Sequence, residues 1–114
     1  MIFETHGHYD DEQFDTDREQ LLEEFQRQDI RYVMNIGANI ATSKASVELA
    51  HQYDFIYAAI GTHPDDAPEL SDAAIEMYRQ MAVDEKVKAI GEIGLDYFHE
   101  DVPKEVQIHW FRKQ

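Results

Sequence analysis

Four short apolar runs, Ile2–His6, Ile30–Ile36, Phe55–Ile60 and Val87–Gly91, alternate with segments whose apolar residues recur at helical spacing. No other feature constrains the fold as strongly. Alternation of this kind specifies strand-helix units, and strands joined through helices lie parallel with right-handed crossovers. The helical segments carry their own start signals. Thr16-Asp17-Arg18-Glu19 fits a capping box ahead of Leu21, Leu22 and Phe25, in a helix running to about Gln28. Thr42 or Ser43 is placed to cap a second helix through Ala45, Leu49 and Tyr53, and Ser71 a third through Ile75, Tyr78 and Ala82. Asp101 is placed to cap a fourth, with Pro103 in its first turn and Val106, Trp110 and Phe111 toward the core. No linker interrupts the pattern, and 114 residues with 43% apolar side chains hold one core. Residues 1–114 therefore read as one domain, or one piece of a larger one.

The strand ends carry the chemistry. The first strand ends in His6-Gly7-His8, and a side-chain period of two sets Glu4, His6 and His8 on one side, with successive members about 6.6 Å apart along an extended chain. The fourth ends in Gly91-Glu92-Ile93-Gly94-Leu95-Asp96-Tyr97, which sets a carboxylate between two glycines at the end of an apolar run. Burying that charge unpaired would cost several kcal/mol, so a cation, an arginine or water must meet it. Gly61-Thr62-His63-Pro64 follows the third strand. Carboxyl ends of parallel strands are where α/β folds place their sites. The bland alternatives remain: histidines in a surface loop, a carboxylate held by backbone N–H groups of its turn, and a His63 that shapes the turn before Pro64. His51, His99 and His109 match no motif and are expected on helix or loop surface.

Composition narrows the donors. There is no cysteine, which excludes disulfides and thiolate chemistry and leaves His, Asp and Glu as the available metal ligands. The formal net charge of -14 opposes binding along a phosphate backbone by counterion release. No apolar run approaches the roughly 20 residues of a membrane helix, and the first residues lack the form of a signal peptide, so a cytoplasmic protein without membrane partners is expected.

Glu4-Thr5-His6-Gly7-His8, Gly61-Thr62-His63-Pro64 and Gly91-Glu92-Ile93-Gly94-Leu95-Asp96-Tyr97, in that order and spacing, resemble the TatD-type metal-dependent deoxyribonucleases. The resemblance runs over the whole chain and implies an α/β fold, the first four strand-helix units of a TIM (β/α)8 barrel. It implies DNA as substrate and a phosphodiester hydrolysed by water activated on one or two divalent ions, zinc, manganese, magnesium or cobalt. His6 and His8 would be ligands to one metal. Glu92 would be a catalytic ligand that can bridge two, and His63 and Asp96 would be substrate-side positions. Two departures from the family pattern stand out: Glu4 occupies a usual aspartate position, and a complete barrel takes about 250 residues. The family's further ligands lie beyond position 114. A half barrel leaves the first and fourth strands as unpaired edges, so pairing with a second copy or with a complementing C-terminal half is expected. Weak or absent cleavage by this chain alone is also expected. The rivals are a metal-dependent amide or ester hydrolase and a non-catalytic half barrel.

Overall fold

The computed structural model describes residues 1–114. Strands β1 (Ile2–Gly7), β2 (Ile30–Ile36), β3 (Ile56–Ile60) and β4 (Val87–Ile90) form one sheet in the order β1-β2-β3-β4, and every adjacent pair is parallel. Helices α1 (Arg18–Arg27), α2 (Ile40–Gln52) and α3 (Asp72–Met81) make the crossovers, and α4 (Lys104–Lys113) follows β4. The expected alternation is thus present in full. No helix is long and apolar enough to cross a membrane.

The core lies on one side of the sheet. Leu22 of α1 and Leu49 and Ala50 of α2 meet Val33, Phe55, Ile56 and Ala58, all buried. A second group, Ile60, Leu70, Ala74 and Tyr78, sits beneath α3. Each fully buried leucine or isoleucine contributes about 1.5–3 kcal/mol of transfer free energy. On the opposite side nothing covers the sheet, and Phe3, Met34, Ile36, Ala59 and Ala89 line an open hollow of about 420 Å³ that reaches His6 and Glu92. Phe3 and Tyr32 are half exposed on this chain, with their rings 6.1 Å apart edge to face.

Three of the expected helix starts differ from those observed. Thr16 forms no capping box: α1 begins after Asp17, which makes no side-chain cap bond. Tertiary contact overrides the local signal, because the Arg18 guanidinium turns back to donate to the carbonyls of Tyr9, Asp10 and Asp11 and to Asp15 Oδ1. In α2 the cap is Asn39, whose Oδ1 accepts from Thr42 N at 3.0 Å while Thr42 Oγ1 accepts from Asn39 N at 3.0 Å. Thr42 is the reciprocal partner of the capping box rather than the cap, and Ser43 is buried in contact with Gly61. Pro103 stands in the cap position of α4, so Asp101 lies outside the helix and Val102 is the residue buried there. Ser71 caps α3 as expected, accepting from Ala74 N at 3.1 Å. The inward face of α4 also differs. Gln107 is its buried residue, Trp110 packs at the edge of the Ile60 group, and Phe111 is exposed.

Candidate metal centre

Backbone hydrogen bonds across the carboxyl ends of the strands assemble the centre. Gly37 N donates to Ala59 O at 2.9 Å and Gly91 N to Ile60 O at 2.8 Å. Glu92 N then donates to Gly37 O at 2.7 Å and His63 N to Ala38 O at 2.8 Å. The Gly91–Glu92 peptide bond is cis. Glycine is required at position 37, because a Cβ there would stand 2.3 Å from Ser43 Oγ and 2.7 Å from Ser43 Cα. The turn after β2 therefore comes close enough to α2 for its carbonyl to receive the Glu92 amide.

Three imidazoles surround the Glu92 carboxylate. His6 Nε2 and His8 Nε2 lie 3.5 and 3.8 Å from Oε2, and His63 Nε2 lies 3.8 Å from Oε1. These distances exceed hydrogen-bond length. With metal-ligand bonds of about 2.0–2.2 Å in tetrahedral array, two ligand atoms on one ion stand roughly 3.3–3.6 Å apart; the His6 distance falls in that range and the His8 distance lies about 0.2 Å beyond it. The ligand atoms of His6, His8 and Glu92 all fall within 4.8 Å of one another.

Proton bookkeeping separates the histidines. His8 Nδ1 is 2.8 Å from Ile36 O. A carbonyl can only accept, so Nδ1 carries the proton and neutral His8 turns the lone pair of Nε2 toward Glu92, the orientation a metal ligand needs. His63 is the reverse. Its Nδ1 accepts from Asp65 N at 3.2 Å, capping the 3-10 turn Pro64–Glu69, so the neutral ring carries its proton on Nε2 and faces Glu92 with a donor. His63 thus shapes the turn, one of its two sequence readings, while its other ring nitrogen faces the Glu92 carboxylate. Glu4 stays outside the trio, its Oε1 accepting from His6 N at 2.9 Å and fixing the backbone that carries the first imidazole.

Asp96 belongs to a different grouping. It comes together with Asp65 and His99, a histidine that the sequence assigns to the surface without a role. Asp96 Oδ1 accepts from the amides of Phe98 and His99 at 2.9 and 3.1 Å, and Oδ2 pairs with His99 Nδ1 at 2.8 Å. The His99 ring is the largest cause that holds the Asp96 carboxyl down to about 2, and Asp96 in turn raises His99. Here a proton bridges the pair, where the trio leaves room for an ion. Gln107 fastens the loop from below, donating to Asp96 O and accepting from Asp96 N, at 2.9 and 2.8 Å. The Asp-x-x-His spacing was the available sequence signal for His99, and nothing in the sequence marks Gln107. His51, also expected on the surface, pairs with Asp84 at 2.8 Å, and His109 is exposed.

A profile of the family described as TatD related DNase matches residues 3–114. The uncharacterised metal-dependent hydrolase YabD of Bacillus subtilis is 40% identical over 114 residues, covering all of this chain and 45% of that protein. A protein named 3'-5' ssDNA/RNA exonuclease TatD, from Pectobacterium carotovorum, is 36% identical over 86 residues, 75% of this chain and 33% of its own length. Among solved structures, YjjV, a TatD homologue from Escherichia coli, superposes with a TM-score of 0.87 at 30% identity, covering 98% of this chain and 44% of that one. A TatD family hydrolase from Entamoeba histolytica gives 0.88 at 21% identity, a likeness of fold. The chain spans less than half the length of each of these proteins.

Proposed function

Because the chain belongs to the TatD related DNase family and its four parallel strand-helix units match the N-terminal part of a family barrel, we propose that His6, His8 and Glu92 hold a divalent ion for hydrolysis of phosphodiester bonds in nucleic acid. The observation that supports this reading best is the convergence of the His6 nitrogen, the His8 lone pair and a carboxylate oxygen at ligand spacing, too far apart to share a proton. When bound, a divalent ion supplies a water of lowered pKa and charge to stabilise the pentacovalent phosphorus.

The side chains do the rest. Glu92 turns Oε2 to the two histidines and Oε1 toward His63, so that its carboxylate would help to hold the ion and could take up a proton from water. His63, with its donor facing the same carboxylate, is placed to hydrogen-bond a non-bridging phosphate oxygen, and Asp96 acts by holding the loop that follows. The net charge of -14 repels a polyanion, so the ion and these local donors must supply the attraction. The uncovered face and the β1 and β4 edges are where the remaining barrel, or a second copy of this chain, would pair.

The test is cleavage of a short single-stranded DNA by the purified chain with zinc, manganese, magnesium or cobalt, beside a small carboxylic ester, with native mass spectrometry reporting assembly and bound ions. Three protein ligands leave several coordination positions to water, so we expect slow cleavage by the chain alone, abolished by His6→Ala and Glu92→Ala. Ester turnover without DNA cleavage would replace the reading with that of an amide or ester hydrolase. DNA cleavage unaffected by both substitutions would refute the assignment of the trio.

A further inference from the structure

The loop after the metal centre displays aromatic side chains to solvent while its backbone is held fast. Phe98 is 88% exposed and Tyr97 46%. The amides of Phe98 and His99 are bonded to Asp96, which is itself fastened at N and O to the buried Gln107. A buried polar side chain thus fixes the backbone at Asp96 while the rings of Tyr97 and Phe98 stay at the surface. The Phe98 ring stands 5.0 Å from the His99 ring, edge to face, and Lys104 Nζ lies 4.9 Å above the Tyr97 ring. A side-chain path leads from the centre to this loop: Glu92 to His63 at 3.8 Å, His63 to Asp65 at 3.7 Å, and Asp65 to Asp96 and His99 within 4.8 Å.

From this arrangement we infer that Phe98, flanked by Tyr97 and Lys104, is a stacking platform for an unpaired base of the nucleic acid whose backbone reaches the metal centre. The inference rests on the proposed function and deepens it, because it adds a preference for single strands and assigns it to a named residue. Stacking costs no charge neutralisation and accepts any base, which suits a chain too acidic to track phosphates. Bases of a duplex are already stacked on one another, so a platform of this kind selects single strands. Lys104 over Tyr97 adds a cation at the rim of the loop's aromatic surface.

The experiment measures binding by the chain, in the presence of a chelator, of a short oligodeoxyadenylate and of an abasic oligomer of equal length and charge. Ring resonances of the phenylalanines are followed by NMR and assigned with Phe98→Ala. The base-bearing oligomer is expected to bind about tenfold tighter and to shift the Phe98 ring upfield. Phe98→Ala should erase that advantage with the thermal midpoint unchanged, and Phe98→Trp should keep it. Equal binding of the two oligomers, no binding of either, or an advantage that survives Phe98→Ala would overturn the inference. So would a change in sedimentation on Phe98→Ala, which would make Phe98 a contact between protein surfaces. With metal removed, the measurement is independent of hydrolysis: DNA cleavage that ignores His6→Ala and Glu92→Ala would refute the catalytic reading alone, and binding that gains nothing from Phe98 would refute the platform alone.

Discussion

Removing the His8 imidazole tests whether the trio binds metal at all. The distances from Glu92 Oε2 to the two histidine nitrogens, 3.5 and 3.8 Å, need only tenths of an ångström of adjustment to receive one ion. The site is therefore formed in the folded chain and absent from the unfolded one, and metal should stabilise the fold by mass action. At a free concentration a hundred times Kd the gain is about 2.7 kcal/mol. For a domain of this size each kcal/mol raises the midpoint by about 4 °C, so the shift should be roughly 11 °C. Even groups that only orient a ligand change affinity by about 10- to 100-fold when removed. Loss of a direct ligand at the upper end of that range leaves about 0.4 kcal/mol at the same metal concentration, a shift of about 2 °C. The assay is thermal unfolding followed by circular dichroism across a titration of zinc or manganese. Each protein is compared with its own metal-free baseline, because His8→Ala also removes the hydrogen bond to Ile36 O. A wild-type midpoint that ignores metal, or the same shift in His8→Ala, would refute the reasoning.

Two further outcomes follow from the geometry. Gly37→Ala drives a Cβ into the Ser43 backbone and should destabilise by about 1–3 kcal/mol in urea unfolding while also lowering metal affinity, since the Gly37 carbonyl holds the Glu92 amide; an unchanged midpoint would contradict the steric argument. The Asp96–His99 pair should order its loop only within a pH window. Asp96, lowered from 3.8 to about 2, contributes above 3.8 and loses its effect as pH falls toward 2. His99, raised from 6.5, contributes below 6.5 and loses its effect as pH rises through its folded value. Exchange of the Phe98 and His99 amides, compared with Asp96→Asn, checks this, and equal protection in both proteins would refute it.

The strands and their order were legible because a buried parallel strand is written as a continuous apolar run, and Phe55–Ile60 is the clearest example. The helix starts were less so. Thr16 and Asp101 carry good capping side chains, yet the Arg18 guanidinium decided one start and the burial of Val102 beside Pro103 the other. At the site, the motif pointed to His6, His8 and Glu92, which the fold brings within 4.8 Å. Which histidine offers a lone pair and which a proton was beyond the sequence, because it depends on Ile36 O and Asp65 N. Gln107 was missed for the same reason: on a helix wheel a glutamine reads as surface, and its burial is explained by the backbone groups of Asp96 and Val102 that it bonds.

The candidate trio joins His6 and His8 to Glu92, more than eighty residues later in the sequence. During synthesis the two histidines emerge first, and Glu92 follows on the order of ten seconds later at about 5–20 residues per second. Until β4 docks beside β3 and the Glu92 amide meets Gly37, His6 and His8 make a half-site with two nitrogens and no carboxylate. Capture of an ion by all three proposed ligands would therefore wait until β4 has docked beside β3. Metal uptake by a nascent chain would then report that its fourth strand is in place.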